Sequence, residues 1–130
     1  MIKWAGWLIT VCGVGHTLGS LAQTVPHYAE DWFSWALWDS DLVAMSHTTA
    51  AFWYSAFSFG PPLILVGLTV LWLGRRRITP PPFIAWSVAC WTLITAVLAG
   101  PSPLLLLLLA AVLLLVGARR GDTARDAIAT

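Results

Sequence analysis

The chain has 130 residues, of which 58% are hydrophobic and 10% charged, with a formal net charge of +1. Soluble domains carry roughly a quarter of their residues charged, so an ordinary water-facing surface is excluded, and lipid, which demands that backbone polar groups be satisfied within each segment, selects helices. With no basic stripe able to displace counterions from several phosphates, nucleic acid is excluded as a partner.

The first predicted span covers residues 4–24, enough at 1.5 Å per residue to cross about 30 Å of hydrocarbon. Trp4 and Trp7 mark its inner interface. Lys3 followed by an apolar run also fits the opening of a secretory signal. That run continues to about residue 25 without a small-x-small cleavage site, so a retained helix is expected, ended by Pro26. Residues 25–46 form an outer loop whose charges, Glu30, Asp31, Asp39 and Asp41, are all acidic. Within it Trp32, Trp35 and Trp38, with Phe33 and Leu37, recur at near-helical spacing and predict a short helix lying among the lipid headgroups.

A second span is predicted over 47–73, kinked by Gly60, Pro61 and Pro62 at its middle. Arg75, Arg76 and Arg77 follow, and the last of Pro80, Pro81 and Pro82 opens a third span over 82–99. Gly100, Pro101, Ser102 and Pro103 turn the chain into a short fourth span over 103–118. Its six consecutive leucines, Leu107 among them, are expected to face lipid. Residues 119–130 read as a frayed polar tail. With the N-terminus inside and four spans, all seven basic residues fall on the cytoplasmic side, as the bias of Lys and Arg toward cytoplasmic flanks requires. The expected architecture is therefore an all-α four-helix transmembrane bundle, a single domain with both termini in the cytoplasm.

His16 lies about 18 Å along the first helix from Trp4, deep enough to count as an intramembrane ionisable group, which is by default a functional hypothesis. The plainer reading is a neutral imidazole acting as packing glue between helices. Gly13, His16, Thr17 and Ser20 share a face, next to a GxxxG pair at Gly15 and Gly19. His47, Ala51, Tyr54, Ser55 and Ser58 form a matching stripe on the second span. The two stripes predict either a hydrogen-bonded helix interface or a small polar pocket in the outer half of the bundle. The ligand-pocket candidates are His16, Thr17, Ser20, His47, Tyr54, Ser55 and Ser58.

If haem or a metal were bound, His16 and His47 would be its ligands. Two histidines are a weak signature, however, and His47 lies nearer the outer end of its helix. Cys12 and Cys90 fall in apolar runs, where a structural disulfide is not expected. No acid, Lys or Arg lies deep in any span, so the proton-coupled carboxylate of a small drug exporter is missing. No Ser-His-Asp order, HExxH, CxxC or phosphate loop is present, and no enzyme is expected. The fourth span is shorter than the hydrocarbon core, which favours contact with a membrane protein partner or a second copy of the chain.

Four stretches carry a resemblance: residues 4–8, 13–17, 58–62 and 78–86, with the sequences WAGWL, GVGHT, SFGPP and ITPPPFIAW. Through them most of the chain resembles a family of small uncharacterised bacterial four-helix membrane proteins. The resemblance implies a bacterial inner membrane and transfers no catalytic residue. The expected role is that of a structural, partner or accessory subunit. The alternative is a binder of haem, a metal or a lipid- or quinone-like ligand.

Overall fold

The structure is a computed structural model that describes residues 1–34, 37, 44–100 and 102–129, with the backbone alone at 99 and 121–129. It is all-helical among these residues: α1 (Ile2–Phe33), α2 (His47–Tyr54), α3 (Gly60–Arg75), α4 (Pro82–Ala99), a single 3-10 turn at Pro103–Leu105, and α5 (Leu106–Ala129). Two helical stretches, Ile2–Phe33 and Pro103–Arg120, are long and apolar enough to cross a membrane by length and composition; Gly60–Arg75 and Pro82–Leu98 are apolar but shorter.

α1 runs on through Pro26 instead of stopping there. Proline removes one intrahelical bond, leaving the carbonyl four residues earlier unpaired. Here that residue is Ala22, which is exposed, as is Pro26. The last turns of α1 are also tied to α2: Trp32 Nε1 donates to the Thr48 carbonyl (3.1 Å) and the Thr48 hydroxyl to Asp31 Oδ2 (3.0 Å). Trp32 and Phe33 thus belong to α1, not to a separate interfacial helix; Trp35 and Trp38 of that predicted element lie outside the described residues.

The single second span resolves into α2 and α3, broken at 55–59 and not at the prolines. Pro61 and Pro62 open α3, where a missing N–H has no helical acceptor to lose. Ser46 caps α2 by accepting from Thr49 N (3.2 Å). At the other end α3 closes in a Schellman motif: Ile78 N reaches Leu73 O (3.0 Å) and Arg77 N reaches Gly74 O (3.4 Å). The residue in the left-handed position of that motif, usually glycine, is Arg77 at φ 58°. α5 continues helical to Ala129, where a frayed tail was expected from 119.

α1 is the hub. It packs along α3, α5 and α2, while α4 packs on α5. The α1–α3 seam is made of small residues: Gly6, Thr10, Gly13 and Thr17 on α1 face Gly60 and Gly67, seven apart on α3, and the same alternation of four and three continues to the buried Ser20 and Thr24. A Cβ on Gly13 would come 2.9 Å from both Gly60 O and Ile64 N, and one on Gly6 would come 3.1 Å from Leu71 N. Gly15 and Gly19, the predicted GxxxG pair, have no neighbour there. Small-residue seams of this kind let backbones approach closely. Beyond the seam, Ala5 and Ile9 join Leu63, Val70, Ala85, Val88, Leu107, Ala110, Ala111 and Leu114 in one core. Leu107 is fully buried there, contrary to its expected lipid-facing position, and Leu106 and Leu109 are half exposed instead.

Candidate functional site

The break between α2 and α3 places Phe59 against α1. The His16 ring stacks on Phe59 (centroids 3.9 Å apart, 27° between planes) and meets Tyr54 edge-on at 5.9 Å. Phe59 in turn lies edge-on to Trp91 of α4 at 4.9 Å. An aromatic bridge therefore crosses the bundle at this level. Its central ring, Phe59, was not among the predicted candidates, although its position just before the glycine and prolines that open α3 marks it as the residue entering the helix.

The hydroxyls of the two polar stripes turn onto nearby backbone carbonyls of their own segments. Thr17 Oγ1 donates to Gly13 O (2.9 Å), Ser20 Oγ to His16 O (2.8 Å), Ser55 Oγ to Ala51 O (2.6 Å) and Ser58 Oγ to Ser55 O (3.0 Å). Each satisfies a polar side chain without a neighbour, the usual device of Ser and Thr inside helices. Ser20 and Ser55 are buried, and Thr17 lies directly over Gly60, so at that point α1 and α3 are in tight contact.

His47, exposed at the first position of α2, is seven residues before Tyr54, about 10 Å along the axis. Tyr54 is the α2 residue that reaches His16, so the structure brings together His16, Tyr54 and Phe59 but leaves His47 apart. Among the described residues no group of three His, Cys, Asp or Glu is placed to hold a metal ion. Cys12 and Cys90 are free thiols.

His16 Nε2 is buried and has no hydrogen-bond partner among the described residues, the kind of orphaned group that is costly unless something else satisfies it. On this side of α1 a groove of about 400 Å³ opens between α1 and the start of α5, lined by Val11, Cys12, Gly15, His16, Ser102 and Leu104 among others. It is apolar apart from His16 and Ser102, whose hydroxyl accepts from Leu104 N (3.3 Å). Nothing in the spacing of Ser102 relative to His16 announces the pairing, which depends on how α5 crosses α1.

No curated protein and no solved structure matches the chain. A family model does, over residues 1–121. The chain belongs to that family, the family of unknown function DUF6463.

Proposed function

We propose that the chain is a four-pass protein of a bacterial inner membrane, with both termini in the cytoplasm, acting as a structural, partner or accessory subunit without catalysis of its own. The observation that carries this reading is the distribution of side-chain size. Small residues make the α1–α3 seam, and large apolar ones cover the outside: Trp4 is 71% exposed, Leu65 66%, Val97 82% and Leu98 81%. Water would not tolerate such a surface, whereas lipid tails would.

A core helix of a soluble domain is mostly buried. In the apolar windows of Ile2–Phe33 and Pro103–Arg120 the buried share is only 33% and 28%. A cleaved leader is disfavoured by the central place of α1, on which α2, α3 and α5 all pack. The charges support the orientation, since Lys3, Arg77 and Arg120 line one cavity at one end of the bundle, while Asp31 lies at the far end of α1. α3 and α4, of 16 and 18 residues, extend about 24 and 27 Å, short of the hydrocarbon thickness. That shortfall favours local thinning or a membrane protein partner, a second copy included.

The test is labelling with a membrane-impermeant maleimide in a Cys12→Ala, Cys90→Ala background. Cysteine at Glu30 should react in intact cells, and cysteine at Arg76 or Arg119 only after permeabilisation. Reaction of all three from outside, or release of the chain from membranes by alkaline carbonate, overturns the four-pass reading. A second reading, a lipid- or quinone-like ligand in the groove beside His16, rests on the unpartnered Nε2. A small molecule that co-purifies with the wild type and is lost in His16→Ala supports it; a preparation free of bound ligand refutes it. Haem shared by His16 and His47 would need a rearrangement of α2.

A further inference from the structure

From the cavity at the basic end of the bundle we infer that the chain binds the phosphate of an anionic phospholipid headgroup, a site that rests on the membrane reading above. The cavity holds about 550 Å³, within the range of small-ligand sites. Three cations reach it from three separate elements: Lys3 from the first turn of α1, Arg77 from the α3–α4 connection and Arg120 from α5. Among the described residues no Asp or Glu lines it. Glycines on two helices let the start of α1 pack closely at this end of the bundle. Gly74 of α3 and Gly117 of α5 both line it, and Ile2 of α1 lies against both. Trp4 and Ile78 add apolar surface, suited to the start of acyl chains, while the guanidinium forks of Arg77 and Arg120 match phosphate oxygens.

Arg77 supplies an independent argument. It occupies the left-handed position of the Schellman motif that ends α3, at φ 58°, where glycine would be free of strain. An arginine held in an unfavourable backbone conformation points to use of its side chain. Arg76, its neighbour, is not part of the cavity; its guanidinium lies 5.2 Å from the Trp72 ring centroid. The two residues carry the same charge at nearly the same depth, so they separate a built site from general attraction of basic flanks to an acidic membrane surface.

The experiment uses the full chain in neutral detergent, titrated with short-chain phosphatidylglycerol, phosphatidylcholine or inorganic phosphate, with bound lipid counted by native mass spectrometry and melting temperature as a second readout. Phosphatidylglycerol should be retained and should raise the melting temperature, with phosphatidylcholine doing neither. Arg77→Gly and Arg120→Gln should each weaken phosphatidylglycerol binding about fivefold, the weight of one cation near an anionic lipid surface, and Arg76→Gln should leave it within about twofold. Arg77→Gly should also melt higher than wild type when no lipid is added, so weaker binding by this variant cannot be ascribed to a damaged fold. The proposal is overturned by equal losses in Arg76→Gln and Arg77→Gly, by equal retention of the two lipids, or by inorganic phosphate alone reproducing the full shift. Because these readouts are taken in micelles, they fail independently of the maleimide topology test.

Discussion

Replacing Gly67 by alanine tests the small-residue seam directly. The added Cβ would lie 2.6 Å from Thr10 N and 3.0 Å from Gly6 O, and closer still to Thr10 Oγ1. The hydroxyl can rotate away, but the two backbone atoms cannot. Restoring ordinary contact requires α1 and α3 to move apart by about 1 Å, and a gap of that size forfeits roughly a quarter to a half of the dispersion attraction of every atom pair along the seam. Overpacking of this kind costs about 1–3 kcal/mol. Alanine also gains about 1 kcal/mol of helix propensity over glycine, which would mask part of the loss. Gly15→Ala cancels that gain as a reference, because a Cβ at 15 meets nothing within 4 Å. Unfolding of both variants in detergent should therefore show Gly67→Ala less stable than Gly15→Ala by about 1–3 kcal/mol. Equal stability, or a less stable Gly15→Ala, would refute the assignment of the seam to Gly6, Gly13, Gly60 and Gly67.

The leucine run supplies a second comparison: Leu107→Ala empties a fully buried position and should cost about 2 kcal/mol, the low end for a leucine truncation. Leu106→Ala, at a half-exposed site, should fall within about 0.5 kcal/mol of wild type on the same unfolding curve. Trp32→Phe removes the donor to the Thr48 carbonyl and should weaken the α1–α2 clamp by about 1 kcal/mol, seen as faster amide exchange in α2 with α3 unchanged; uniform acceleration in both helices would contradict a local clamp.

Several features were readable along the chain because each depends on one segment at a time. Four apolar stretches and their flanking charges follow from per-residue transfer costs, and three of their ends, at the Arg75 to Arg77 run, at Pro82 and at Gly100, coincide with observed helix termini. The heptad of Gly6, Thr10, Gly13, Thr17, Ser20 and Thr24 was also present in the letters. Gly13, Thr17 and Ser20 of it share the face expected to pack, whereas the neighbouring GxxxG pair at Gly15 and Gly19 lies on an exposed face. Pro26 misled for a different reason: whether one lost hydrogen bond ends a helix depends on whether solvent and a neighbouring segment compensate, and the Trp32 and Asp31 contacts with Thr48 connect residues 16 and 17 apart.

The polar candidates divide along the same line. That Thr17, Ser20, Ser55 and Ser58 would be inward or half-buried was legible from their spacing. That their hydroxyls would be spent on backbone carbonyls three or four residues back, leaving His16 Nε2 unsatisfied among the described residues, was not. The sequence by itself determined an apolar helical chain with its basic residues bunched at the predicted cytoplasmic ends, because hydropathy and charge act locally and additively. Only the tertiary structure decided which glycines touch, that Leu107 is core and Leu106 is not, and that Lys3, Arg77 and Arg120 meet in one cavity. Those outcomes depend on how one helix is rotated and stacked against another, and such contact geometry is a property of pairs of segments that no single segment encodes.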